Sequence, residues 1–226
     1  MIPYKILDVG SGQGDFMKKA SAKFPGSSLV GFEASEVGVD ISSKKVPEAV
    51  FYVVDVFNPG KQIKEAFSGW SNVITCSEVL EHVDDPTDFV SNLLQFLSDN
   101  GSFIVTVPGG PKSQYDEAIG HRRHFNARDL SLLLNKAGLS DVKVYRAGFP
   151  FFNLYRLIIV ARGKNLIEDV KSGSRGKLKW LAFLLMQIFG FLFNFNLSNS
   201  LFGWQMVAVA KKNSRDKEVY SRLVQI

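Results

Sequence analysis

A chain of 226 residues, 46% hydrophobic and 22% charged, has the composition of one ordinary globular domain or of one domain carrying an insertion. Its net charge of +5, with a pI near 9.2, is compatible with an anionic partner but too mild to specify one. A single cysteine, Cys76, excludes an intramolecular disulfide, argues against a Cys-based zinc site and suits a reducing compartment. The N-terminus MIPYKILDVG lacks a basic n-region, a long apolar core and a cleavage pattern, so the expectation is a cytoplasmic protein without a signal peptide.

In chain order, apolar runs predict strands at Lys5–Val9, Ser28–Glu33, Val50–Asp55, Asn72–Cys76, Gly101–Val107 and Asp141–Ala147. Helices are predicted near Gln13–Phe24, Lys61–Phe67, Pro86–Leu97 and Ala127–Ala137, the last with Asn126 as N-cap and Gly138 past its end. Nearly continuous apolar strands alternating with helices imply a doubly wound α/β sheet buried on both faces. The pattern breaks at 148–202, and GWQMVAVAKK then returns to strand character, closing the sheet.

The segment ILDVGSGQGDF, residues 6–16, runs a strand into a glycine-rich turn. The dinucleotide fingerprint G-x-G-x-x-G fails at its third glycine, where Asp15 stands. The spacing is instead D-x-G-x-G-x-G, through Asp8, Gly10, Gly12 and Gly14, and no P-loop motif is present. Glu33, in GFEAS, ends the second strand about twenty residues past the turn, where a carboxylate can take both hydroxyls of a ribose. Asp55, in VVDVF, ends the third strand and can accept from an adenine amino group while Val54 or Val56 packs its face. Either acid alone reads equally well as a solvated loop residue; both together, in order behind the glycines, favour a nucleoside site.

ILDVGSGQG, GFEAS, VVDVF and NVITCSEVLEHVDDPTDFV together resemble the class I S-adenosylmethionine (SAM)-dependent methyltransferases. The likeness covers roughly residues 4–147 and 203–210, and is closest to the group containing the ubiquinone-pathway O-methyltransferases and many small-molecule methyltransferases. It implies SAM as cofactor and a Rossmann-like α/β fold, a seven-stranded, mostly parallel sheet with its last strand antiparallel and helices on both faces. The same resemblance places Asp8, Gly10, Ser11, Gly12, Gln13 and Gly14 at the amino-acid end of SAM. Glu33 and Ala34 fall at its ribose, Asp55 and Val56 at its adenine, and Ser77 and Glu78 beside its methionine part. SAM has no pyrophosphate, so the third glycine of the dinucleotide pattern is not demanded. In ubiquinone-pathway relatives the spacing E-x-x-E-H, here Glu78, Glu81 and His82, is associated with a divalent cation. Two carboxylates and an imidazole suit Mg2+ only partly. The favoured reading has Glu81 and His82 ending a turn, with no metal among the site residues.

Methyl transfer from a sulfonium is an in-line displacement, for which the protein must align the partners and exclude water. A base helps when the acceptor has a proton to lose. The segment GGPKSQYDEAIGHRRHF offers His121, His124 and Tyr115 as candidate catalytic groups, with Arg122 and Arg123 available to an acidic substrate group. The plain alternative is a lid whose histidines bond only to backbone.

The expected organisation is a methyltransferase domain at 1–147 and 203–212, a hydrophobic insertion at 148–202 and a tail at 213–226. The insertion holds nine of the nineteen phenylalanines, and no charged residue occurs from Trp180 to Ala210. Its stretch WLAFLLMQIFGFLFNFNL is apolar nearly all round and shorter than a membrane span. It suits a helix pair packed on the sheet edge, a lid over a lipid-like substrate, a homodimer contact or an element lying on a membrane surface. Family members usually carry a helix before the first strand, and here only Met1–Tyr4 precede it. The expected function is methylation of a small-molecule or lipid-linked acceptor, at oxygen, with a non-catalytic scaffold as the rival. Nucleic acid is not expected as a partner: no N-P-P-[YF] motif follows the fourth strand, and basic residues are not interleaved with stacking aromatics.

Overall fold

A computed structural model describes residues 3–172 and 177–212. Seven strands form one sheet: β1 (Lys5–Val9), β2 (Ser28–Glu33), β3 (Val50–Val53), β4 (Ser71–Ser77), β5 (Leu97–Pro108), β6 (Leu139–Ala147) and β7 (Gln205–Lys212). Their spatial order is β3-β2-β1-β4-β5-β7-β6, and β7 runs antiparallel between β5 and β6 while the other pairings are parallel. Strands carried by βαβ crossovers are covered on both faces, which explains their apolar character. Leu7, Ile74, Phe103, Val105 and Ala208 are fully shielded from solvent.

Among the described residues, eight helices accompany the sheet: α1 (Asp15–Lys23), α2 (Glu36–Lys45), α3 (Lys61–Phe67), α4 (Pro86–Leu93), α5 (Gln114–Ala118), α6 (Ala127–Lys136), α7 (Phe151–Ser172) and α8 (Lys177–Leu192). Several ends differ from the sequence expectation for local reasons. Helix α1 starts at Asp15 rather than Gln13 because Gly14 sits before it at φ +75°, a left-handed conformation. Strand β3 stops at Val53, since Asp55 folds its carboxylate onto the amide of Phe57 and turns the chain. Helix α4 stops at Leu93, because Leu97–Asn100 joins the sheet. The Asn126 side chain accepts from the Asp129 amide at 2.9 Å, the cap expected for α6.

Two helices had no counterpart in the sequence reading. Helix α2 buries only Ser42 and carries a glycine in its first turn, so it shows almost no apolar stripe. That glycine answers a tertiary demand: a Cβ on Gly38 would lie 2.9 Å from Cγ of Glu33. Helix α5 is one turn, closed by a capping box in which Asp116 accepts from the Ser113 amide at 2.7 Å and Ser113 accepts from the Asp116 amide at 3.3 Å. The S-x-x-D spacing was a legible signal for it.

The segment between β6 and β7 leaves the sheet at the carboxyl end of β6, the edge where the parallel strands present their loops. It forms α7, which kinks at Gly163, then α8 and a 3-10 turn at Phe193–Phe195. Phe152, Tyr155, Phe189 and Phe193 stack to join the two helices, with ring centroids 5.5–6.4 Å apart in the pairs formed by Tyr155. An adjacent stripe of α7 is polar and buried. Asn153 donates to the Phe202 carbonyl at 2.6 Å and accepts from the Trp204 amide at 3.1 Å, holding the return into β7. One turn later, Arg156 forms a two-pronged pair with Asp116 of α5 at 2.9 and 2.8 Å. Both side chains are buried. Residues 213–226, expected as a tail, and 173–176 lie outside the described residues.

Breaking a desolvated pair strands a charge, which typically costs about 3–5 kcal/mol. Arg156→Met is expected to lower unfolding free energy by about that amount in urea titration, and Asp116→Asn in the same chain to restore much of it. A loss below about 1 kcal/mol would show that the pair is solvated in practice.

Candidate functional site

Backbone geometry sets the β1–α1 turn and its link to the end of β2. Gly10 lies at φ +69°, and a Cβ there would meet Val79 Cγ2 at 2.3 Å, so the turn closes on the β4–α4 loop only because the residue is glycine. The Gly12 amide donates to Glu33 Oε2 at 2.8 Å, and the Ser35 amide donates to the other oxygen at 3.0 Å. The carboxylate is thereby fixed at the mouth of a pocket of about 370 Å³. Gly10, Glu33, Ala34, Asp55, Val56 and Glu78 line that pocket, all named from the sequence. They converge because each ends a parallel strand or begins the loop after it, the edge where open α/β sheets gather ligands.

The remaining predicted residues sit around this pocket rather than in its wall. Gln13 is exposed at the turn, Gly14 supports α1, and Ser11 is buried under the turn. Ser77 is the last residue of β4. Asp8 is buried beneath, accepting from the Thr75 hydroxyl at 2.7 Å. Burial outweighs that bond and, with the nearby Glu33 charge, pushes the Asp8 carboxyl up to about 7. Cys76 is fully buried, and burial raises its thiol far from the reactive range, which leaves it a packing residue.

Sequence reasoning missed part of the wall. Phe57 packs edge-on against Phe89, with ring centroids 5.6 Å apart, and both line the pocket with Val79, His82 and Val83. The other missed group is Gln205, at the start of β7, which donates to Glu78 Oε1 at 2.7 Å while Thr106 donates to the same atom at 3.0 Å. Glu78 itself is held at φ 56°, a conformation that costs a non-glycine residue about 1–3 kcal/mol and tends to be kept at functional positions. No local signal could have paired residues 78 and 205.

A second cluster adjoins the pocket across His82, whose ring meets that of His121 edge-on at 4.7 Å. His121 Nδ1 lies 3.3 Å from His124 Nε2, and His124 Nδ1 lies 3.1 Å from the Gly110 carbonyl oxygen. These partners assign the tautomers. His124 must donate from Nδ1 to the carbonyl, so its Nε2 accepts from His121 Nδ1–H, and His121 Nε2 carries the free lone pair. Burial, reinforced by His82, lowers His121 to about 4, and burial also lowers His124, so both are neutral at physiological pH. The Asp116 carboxylate lies 3.8 Å from each ring. Burial would raise it, but Arg156 and the two Ser113 donors hold it well below the usual carboxylate range.

Tyr115 stands outside this cluster, on α5 with its phenol beside Tyr155 of α7. Arg122 and Arg123 are both engaged with Asp84, through its carboxylate and its carbonyl respectively. The E-x-x-E-H residues do not act as one set. Glu78 faces Thr106 and Gln205, whereas Glu81, His82 and His121 bring one ligand atom each within 4.8 Å of one another. One carboxylate and two imidazoles suit zinc or another nitrogen-accepting transition metal, and fit Mg2+ poorly because it prefers oxygen and water. Neither Glu81 oxygen has a hydrogen-bond partner among the described residues, and His121 Nε2 lies 3.9 Å from Oε1.

Comparison with known proteins accords with this geometry. Residues 3–144 match the family profile described as a methyltransferase domain, which is more than half of the chain. The chain belongs to the class I SAM-dependent methyltransferases. It is 30% identical over 107 residues to the mitochondrial ubiquinone biosynthesis O-methyltransferase of Schizosaccharomyces pombe, covering 45% of this chain and 37% of that protein. The ubiquinone biosynthesis O-methyltransferase of Pseudomonas aeruginosa (strain LESB58) is 29% identical over 117 residues, covering 51% and 50%. The matched region thus spans half or less of these relatives' length. Among solved structures, phosphoethanolamine N-methyltransferase 2 of Haemonchus contortus in complex with SAM superposes with a TM-score of 0.62 at 16% identity, over 94% of this chain and 49% of that one. A methyltransferase from Bacillus halodurans gives 0.57 at 16% identity, over 94% of both chains. At that identity the likeness establishes the fold.

Burial and the neighbouring Glu78 charge raise the Glu81 carboxyl from an ordinary 4.5 to about 8. The folded chain therefore holds this proton more tightly than the unfolded one. Stability is lost progressively as pH rises above 4.5, and the loss is complete above about 8. Glu81→Gln, measured with a chelator present, should raise Tm little near pH 4.5 and most at pH 8–9. A gain equal at every pH would mean that the carboxyl is not perturbed.

Proposed function

We propose that the protein transfers the methyl group of SAM to a hydroxyl of an apolar small-molecule or lipid-linked acceptor. The observation that carries this reading is the junction at His82, where the nucleoside pocket meets a pair of neutral, oriented histidines. SAM supplies a methyl group activated by its sulfonium. Glu33, pinned by two backbone amides, presents its remaining lone pairs to the ribose hydroxyls, and Phe57 with Val56 and Phe89 forms an apolar slot for the adenine. Glu78, locked by Thr106 and Gln205, faces the methionine part.

The chain's own share in the chemistry is the acceptor's proton. His121 takes it at Nε2 while its Nδ1–H stays bonded to His124, and Gly110 keeps His124 in register. Asp116, 3.8 Å from both rings, balances the imidazolium that results. The acceptor's apolar part has a separate place. A groove of about 600 Å³ is lined by Phe149, Pro150, Leu154, Leu157, Phe202 and Trp204 among others. Trp204 packs its indole over Gly110, where a Cβ would come within 2.7 Å of the ring, so the groove and the histidine pair share one turn. The rival reading as a scaffold without activity gives no reason for a Glu33 carboxylate held open at a pocket mouth.

Calorimetric titration should show binding of SAM and of its demethylated product but not of NADH. Glu33→Ala should weaken SAM by about 1–3 kcal/mol, the usual loss for a hydrogen bond to a charged group. Unchanged affinity would remove Glu33 from the ribose site. For the acceptor, a phenol bearing an alkyl chain should be methylated with a lower KM than the bare phenol. Leu157→Glu should abolish that difference without moving SAM affinity. Indifference of both substrates to Leu157→Glu would take the acceptor out of the groove.

A further inference from the structure

Glu81 is fully buried, yet neither of its oxygens has a hydrogen-bond partner among the described residues. A buried acid in that state is costly, and it calls for a proton or a cation to join it. The ligand atoms of Glu81, His82 and His121 all fall within 4.8 Å of one another. His121 spends its Nδ1–H on His124, which Gly110 fixes in turn, so the Nε2 lone pair is left on the Glu81 side. Histidines that ligate metals nearly always give away their other ring N–H in this manner. Two acceptors thus face each other across 3.9 Å. One shared proton does not bridge that gap, since hydrogen bonds end near about 3.2 Å. An ion held about 2.0–2.2 Å from each ligand spans it with a small inward movement.

The backbone already clasps the three residues together. The Arg122 amide donates to the Glu81 carbonyl at 2.8 Å, and Gly120, at φ +93°, passes so close that its Cβ would lie 3.4 Å from His82 Nδ1. His82 also lines the 370 Å³ pocket, which gives an ion a way in. The neighbouring set of Asp116, His121 and His124 is spent by comparison. Arg156 and Ser113 take both Asp116 oxygens and set a positive charge beside them, and both His124 nitrogens are bonded. Glu78 is likewise engaged, by Thr106 and Gln205. One carboxylate with two imidazoles is a set that zinc takes with its fourth position open, and magnesium prefers oxygen alone.

We propose that Glu81, His82 and His121 bind a zinc ion, with Glu78 outside the set, and that the bound ion silences methyl transfer by occupying His121 Nε2. While the ion holds that lone pair, His121 cannot take the acceptor's proton. The silencing rests on the reading of His121 as the base; the site does not.

The full chain, stripped of metal by a chelator and dialysed, should bind one equivalent of Zn2+ in competition with a fluorescent zinc indicator. Millimolar Mg2+ should not displace it. Glu81→Gln and His121→Asn should each weaken zinc at least tenfold, the least that losing even an outer partner costs. Glu78→Gln should leave zinc affinity unchanged. Melting curves without metal identify folded variants, and Glu81→Gln, which keeps the side chain's shape, serves alone if His121→Asn does not fold. Methylation of an alkyl-bearing phenol should fall as zinc fills the site, and Glu81→Gln should raise the zinc concentration required by the same factor as it weakens binding. Absence of zinc binding, binding indifferent to Glu81→Gln, or binding lost in Glu78→Gln would overturn the site. A rate that zinc leaves unchanged or raises would overturn the silencing. Metal-free His121→Asn separates the two readings: if it methylates as fast as the parent chain, His121 is not the base and the silencing falls with it, while zinc affinity still decides the site.

Discussion

The buried pair between Asp116 and Arg156 is the constraint on which the site's second half depends. Asp116 is the N3 residue of a one-turn helix too short to be stable by itself, and Arg156 comes from an insertion that the sheet does not need. Joined at 2.8–2.9 Å, they fix the loop after β5 against α7. The same carboxylate then lies 3.8 Å from His121 and from His124, so one ion pair both anchors the insertion and sets the field around the histidines. Such a pair is expensive to desolvate, and its return is positional rather than energetic.

The pocket behind the glycine turn is built on a different principle. There the sheet itself does the positioning, with loops at the carboxyl ends of β1, β2, β3 and β4 converging on one pocket. The glycines let backbone approach backbone, and Glu33 collects two amide donors that would otherwise have no partner in the turn. Gln205 and Glu78 join the halves, so the final strand of the sheet also braces the pocket wall.

The two halves differ in their treatment of charge. Asp8 and Glu81 are buried carboxyls pushed up to about 7 and 8, and His121 and His124 are imidazoles pushed down, so burial favours the neutral form of each. Asp116, held by Arg156 and Ser113, is instead kept ionised beside the histidines.

By itself, the sequence determined the sheet, the glycine turn and the acids at strand ends, because those signals are local: apolar runs, φ-positive glycines and a carboxylate at fixed spacing from them. Gly10, Glu33, Asp55 and Glu78 were all legible, and all line one pocket. It also marked 148–202 as foreign to the pattern and His121 and His124 as chemically able. What only the tertiary structure decided was partnership. Residues 78 and 205, 116 and 156, and 81 and 121 are brought together by topology, and their alignment depends on packing rather than spacing. The arginines beside the histidines, read as substrate ligands, are engaged with Asp84, and Tyr115 faces α7, for the same reason: a side chain's role follows from its neighbours, and neighbours distant in sequence leave no mark in the local pattern.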